Sequence, residues 1–106
     1  MNDNEVLEML HGVVKLARPI SADEIKIESL DTLLKDTGLD SLDFLMVGVY
    51  LSDIYGVSEE DLKEMKMDET STLRDMVNYM LSKGTKQPAS VKEALDRKST
   101  RLNSSH

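Results

Sequence analysis

Apolar residues recur at helical spacing near the start of the chain. Val6, Met9, Leu10, Val13, Val14 and Leu16 fall on one side, with Glu5, Glu8, His11 and Lys15 on the other. The spacing predicts a first helix over Glu5 to Leu16. Arg18-Pro19 ends it, because proline disfavours helical geometry in the residue before it. From Ile20 to Leu39 the pattern becomes sparse, and Ile25, Ile27, Leu30, Leu33 and Leu34 read as anchors that pin a long loop to a core, with a short helical turn near Ser29 to Lys35. A second helix is predicted from Ser41 or Leu42 to Tyr55, stopped by Gly56. Phe44, Val47, Leu51, Ile54 and Tyr55 share its expected core face. Leu42, Leu45, Met46 and Val49 make the opposite face apolar too, bordered by Asp43, Ser52 and Asp53. In a small domain this predicts a working hydrophobic surface.

Glu59 to Met65 reads as a short acidic helix capped by Ser58. Ser71 or Thr72 then opens a last main helix with a buried stripe of Leu73, Met76, Val77, Met80 and Leu81, ending at Lys83-Gly84. No stretch alternates in the manner of a strand. The fold class is therefore all-α, a small bundle of three main helices plus one short helix, with a long loop between the first two main helices. Residues 1–83 form the domain. Residues 84–95 read as a flexible C-terminal extension with a loose helical turn at Val91 to Leu95. Residues 96–106 match, residue for residue, the in-frame translation of a sequencing-library adapter, and so read as an artefactual tail set aside from fold and function.

Composition narrows the chemistry. The chain of 106 residues has no cysteine and only two histidines, His11 and His106, near opposite ends. Disulfides, thiolate metal sites and a cysteine nucleophile are thereby excluded, and a histidine-based metal site or triad has almost nothing to draw on. The N-terminus lacks a basic region, and no apolar run approaches the roughly 20 residues that span a bilayer, so a soluble cytoplasmic protein is expected. The net charge is -7, and with the tail set aside 10 basic residues face 19 acidic ones. So acidic a domain repels nucleic acid and suits basic protein surfaces. The aspartates at 31, 36, 40 and 43 do not supply an EF-hand register. Seven methionines allow an interior that repacks around a guest.

The remaining chemistry lies in Asp36-Thr-Gly-Leu-Asp-Ser-Leu-Asp-Phe-Leu45. Asp40 or Ser41 can cap the second helix, and Asp43 adds negative charge where the helix dipole favours it. Gly38-Leu39-Asp40-Ser41-Leu42, preceded by Leu33, Leu34 and Asp36 and followed by an amphipathic helix, resembles the acyl carrier protein family over roughly residues 4–83. The resemblance implies 4'-phosphopantetheine attached to Ser41 by a phosphopantetheinyl transferase, with Asp40 and Leu42 beside the attachment. It implies acyl intermediates held as thioesters and passed to acyl-transferring and ketosynthase-type enzymes of fatty acid, polyketide or specialised lipid synthesis. Asp43, Leu45, Met46, Val49 and Asp53 would form the partner surface of a monomer that is itself no enzyme. Met46 and Ser52 stand where the family usually has acids, so partner choice should rest more on apolar contact. Thr37 stands where leucine is usual, which should loosen the loop, and the stretch from Glu59 to Thr70 is longer than usual. A peptidyl or aminoacyl carrier, and a non-carrier acidic interaction protein in which Ser41 only caps, remain as alternatives.

Overall fold

In the computed structural model, which describes residues 2–20 and 22–97, the chain folds into five α-helices: α1 (Asp3–Ala17), α2 (Ser41–Tyr55), α3 (Glu59–Glu64), α4 (Leu73–Lys83) and α5 (Val91–Arg97). Among the described residues there is no strand, only an isolated bridge between Leu33 and Thr72. The all-α bundle predicted from the apolar spacing is therefore the observed fold class.

Local chemistry sets the helix ends. Asn2 caps α1 by accepting the Glu5 N–H at 2.9 Å, and the Glu5 carboxylate returns to the Asn2 N–H, so the helix begins earlier than its apolar pattern. Thr72 and Asp75 form the same reciprocal box on α4, and Ser58 caps α3. At the end of α2, Gly56 has φ 70°, a left-handed conformation that glycine adopts without side-chain strain.

Val6, Met9, Leu10, Val13 and Val14 of α1 meet Val47, Leu51, Ile54 and Tyr55 of α2 and Leu73, Met76, Val77 and Met80 of α4 in one core. Ile25, Ile27, Leu30 and Leu34 bury into it from the long loop. That loop is fastened as well as buried. Leu34 donates its N–H to the Ser71 carbonyl at 2.9 Å, while Leu73 and Arg74 donate theirs to the carbonyls of Thr32 and Leu30 at 3.1 and 2.8 Å. Two of the amides that an isolated α4 would leave without partners are satisfied in this way.

The structure departs from the sequence reading at several points. Leu81 is 40% exposed rather than part of the α4 stripe, and borders a shallow depression with Val6, Tyr55, Gln87 and Pro88. Leu16 is only half-buried. Thr37 tightens the loop instead of loosening it. It is fully buried, its hydroxyl donates to the Leu34 carbonyl at 2.7 Å and accepts the Leu39 N–H at 3.2 Å, and its carbonyl accepts the Lys26 N–H at 2.8 Å.

The largest departure is at the C-terminus. Residues 84–95 belong to the bundle: Lys86 donates its N–H to the Tyr55 carbonyl at 2.9 Å, and α5 then packs on α1 and α2 with Ala94 fully buried and Leu95 lying over Gly12. Because Gly12 has no side chain, α1 offers a notch that two small turns of α5 can fill. Most of the tail attributed to adapter sequence, residues 98–106, lies outside the described residues.

Candidate functional site

The site begins with the cap of α2. Asp40, in extended geometry, accepts the Asp43 N–H at 2.8 Å, and the Asp43 carboxylate faces back to the Asp40 N–H at 3.4 Å. Capping is thus complete without Ser41. Ser41 is the first helical residue, exposed, with its hydroxyl at the positive end of a helix dipole. The sequence left the cap open between Asp40 and Ser41, and the structure gives it to Asp40.

Asp43, expected on the partner surface, is instead largely buried and ion-paired. It is 9% exposed, and Arg18 Nη1 lies 3.1 Å from its Oδ2. The same guanidinium reaches Glu24 at 3.6 Å, so one arginine joins the end of α1, the long loop and the first turn of α2. A carboxylate engaged by Arg18 and by its own cap has little left to offer a partner. Ser52, expected at the edge of the outward face, is fully buried, with its hydroxyl donating to the Val49 carbonyl at 2.7 Å. Of the other candidates, Leu42 and Leu45 are 67% and 55% exposed, while Met46, Val49 and Asp53 are half-buried.

Phe44 does not sit in the central core as predicted. It is half-buried and forms a wall between two depressions that both reach Ser41. The larger, about 700 Å³, lies between α2 and α3, with Phe44, Leu45 and Val49 on one side and Leu62 and Met65 on the other. The smaller, about 320 Å³, runs under Leu39 toward Met67 and Asp68. Hydrogen bonds from the side chain and amide of Thr70, then from Ser71, hold the Asp68 carboxyl below its ordinary range.

The opposite wall is light. No residue of α3 is buried, and the helix is held by Leu62 and Met65 and by a hydrogen bond from the Tyr79 hydroxyl to the Asp61 carbonyl. The floor is a residue the sequence reading passed over. Gly48 is buried in the middle of α2, where glycine costs about 0.5–1 kcal/mol relative to alanine. A Cβ there would lie 3.4 Å from Leu62 Cδ1 and 3.7 Å from Met65 Cε, which is ordinary contact. The one available signal was a glycine interrupting an otherwise strong helical pattern.

An exposed primary hydroxyl at a capped helix start is a group that can be esterified, and the adjacent amides suit a phosphate. Among the described residues no group of three or more histidine, cysteine, aspartate or glutamate side chains could hold a metal ion, and no helix is long and apolar enough to cross a membrane. No protein-family model, curated protein or solved structure matches this chain.

Proposed function

We propose that the protein is an acyl carrier, with 4'-phosphopantetheine attached through a phosphodiester to Ser41. The observation that carries this reading is the position of Ser41: exposed, relieved of capping by Asp40, and on the rim of an apolar cavity of about 700 Å³. The residues present fit the group. The hydroxyl is accessible, the start of α2 favours a phosphate, and no bulky residue covers it. When bound, the group supplies a thiol that holds acyl groups as thioesters.

The chain's own residues position and shelter. Asp40 and Asp43 fix the helix start, and Arg18 fixes Asp43. Phe44, Leu45, Leu62 and Met65 would keep water from an acyl chain, a stabilisation of about 0.8 kcal/mol for each methylene that leaves water completely. Leu42 and Leu45, with the half-buried Met46 and Val49, give partner enzymes an apolar footing beside the serine, and Asp40 and Asp53 offer carboxylates to basic patches. The partners on this reading are a phosphopantetheinyl transferase and acyl-transferring or ketosynthase-type enzymes in the cytoplasm, met by a monomer. The apolar lining favours acyl over aminoacyl cargo, and the cap on Asp40 weighs against Ser41 serving only as a cap.

Co-expression with a broad-specificity phosphopantetheinyl transferase should add one phosphopantetheine mass to the intact protein, and Ser41→Ala should abolish the addition. A wild-type chain that stays unmodified under those conditions sinks the proposal. Aminoacyl rather than acyl species on protein from the native host would move it to the peptidyl carriers.

A further inference from the structure

Among the described residues α1, α2 and α4 each start with a reciprocal capping box, and the boxes are not alike. On α1 and α4 the returning carboxylates, Glu5 and Asp75, form no ion pair among the described residues. On α2 the returning carboxylate is Asp43, whose Oδ2 serves both the Asp40 N–H at 3.4 Å and Arg18 Nη1 at 3.1 Å. The side chains of Arg18 and Asp43 are 23% and 12% exposed, whereas those of Arg74 and its partners Asp3 and Asp31 are 40%, 68% and 73% exposed. Water screens an exposed pair until it holds little, but removing one partner of a sequestered pair strands the other charge.

The two ends of the sequestered pair are far apart in the chain. Arg18 follows α1, its own N–H donating to the Val14 carbonyl at 2.8 Å, and Asp43 lies in the first turn of α2. Between them runs the long loop, which reaches Ser41 through Gly38 at φ 90°. Capping does not require the arginine, since Asp40 accepts the Asp43 N–H at 2.8 Å by itself. What Arg18 adds is a fixed position for the first turn of α2, and with it for Ser41.

We infer that Arg18 is a positioning residue for Ser41: acting through Asp43, its charge holds the serine hydroxyl where it can be esterified rapidly. This rests on the carrier reading of Ser41, and it deepens that reading by naming a residue outside the motif on which the attachment step depends. In that step the Ser41 oxygen attacks the coenzyme A phosphorus that bears the pantetheine. The new P–O bond forms as the bond to the departing adenosine 3',5'-bisphosphate breaks, and the hydroxyl proton passes to a base of the transferase or to solvent. Such a displacement needs the attacking oxygen in line with the breaking bond, so a misplaced hydroxyl lowers the rate of the step more than the binding of the carrier.

The test measures loading of the full-length protein by a broad-specificity phosphopantetheinyl transferase, with coenzyme A saturating and carrier concentration varied, at a temperature where circular dichroism shows every variant folded. Arg18→Gln keeps most of the stem and removes the charge; it should lower kcat about tenfold and shift KM by less than about twofold. Arg18→Lys restores a charge without the fork and should recover kcat to within about threefold of wild type. Asp43→Asn keeps an acceptor for the cap but no charge. It should lower kcat by a similar factor, and Arg18→Gln added to it should cost nothing further. Arg74→Ala, which removes the exposed arginine cluster, should load as wild type does. Apart from loading, amide exchange in Arg18→Gln should quicken at Asp43 and Phe44, whose N–H groups donate to Asp40, and stay unchanged in α4. A wild-type kcat in Arg18→Gln, a loss confined to KM, no recovery in Arg18→Lys, or a further loss in the double variant overturns the positioning role and leaves the carrier reading standing. An equal loss in Arg74→Ala does the same, because it marks a general effect of stability. If wild type itself does not load, the carrier reading falls and this inference with it.

Discussion

Gly12 on α1 and Gly48 on α2 both sit inside a helix and both face another helix, yet the two contacts are finished differently. At Gly12 the partner side chain fills the notch: Leu95 stands where a Cβ would press on it at 3.0 Å, and Ala94 beside it is fully buried. At Gly48 the partner stops short, with Leu62 and Met65 at ordinary contact distance and a cavity of about 700 Å³ alongside. The covering helices differ in the same sense. α5 brings a fully buried alanine to its contact, whereas α3 has no buried residue and hangs on two apolar side chains and the Tyr79 hydrogen bond. A missing side chain can therefore either admit a neighbour or leave a vacancy. Only the fit of the opposite wall says which.

The comparison can be attacked from its strong side first. Gly12→Leu should overpack the closed contact and destabilise the protein by about 2–3 kcal/mol, read as a lower denaturation midpoint with faster amide exchange across α5. A loss below about 0.5 kcal/mol, within the range of ordinary surface substitutions, would show that the α1–α5 contact is not closed after all. A smaller effect is expected on the open side. Tyr79→Phe removes the hydrogen bond to Asp61 and should cost about 1 kcal/mol, with amide exchange rising in residues 59–64 and unchanged in α1. Equal loosening of α5 would break the distinction between the two covers.

The smallest effect is invisible at neutral pH. Burial raises the Tyr55 phenol above its ordinary value of 10.0, because the charged form is poorly solvated against Met9. As pH passes that value the unfolded chain gives up the proton first, so stability is level below it and falls above it. Tyr55→Phe should remove that part of the alkaline loss. A slope unchanged by the substitution would mean that the closed side is wetter than its packing indicates.

Much of the architecture could be read from spacing alone. The cores of α1, α2 and α4 announce themselves through periodic apolar residues, and the caps at Ser58 and at Ser71 or Thr72 through residue type, the structure choosing Thr72. α5 showed only as a loose helical turn at Val91 to Leu95, because Val91, Ala94 and Leu95 make too short and too small a stripe to show what they pack on. Phe44 was assigned to the core and Leu81 to a buried stripe for a related reason: a helical wheel gives the side of a residue but not whether a neighbour covers it. At the site, Ser41 was legible as a candidate because its motif is contiguous. Asp43 was not, since the group that engages it, Arg18, is distant in sequence and arrives only through the fold. Gly48 went unremarked because a residue without a side chain carries no chemistry to read.

The fastening of the long loop to α4 has a consequence for the order in which the molecule is made. The carbonyls of Leu30 and Thr32 meet amides that belong to Arg74 and Leu73, and Leu34 finds its acceptor on Ser71. Those partners leave the ribosome well after the loop itself, and pairing over such a separation costs loop-closure entropy before it returns any stability. α1 and α2 can collapse early around their shared apolar faces, but the loop that leads into Asp40 and Ser41 reaches its final path only when α4 arrives. The serine is therefore presented by the completed domain, and a nascent chain still lacking α4 would offer it on an unfinished approach.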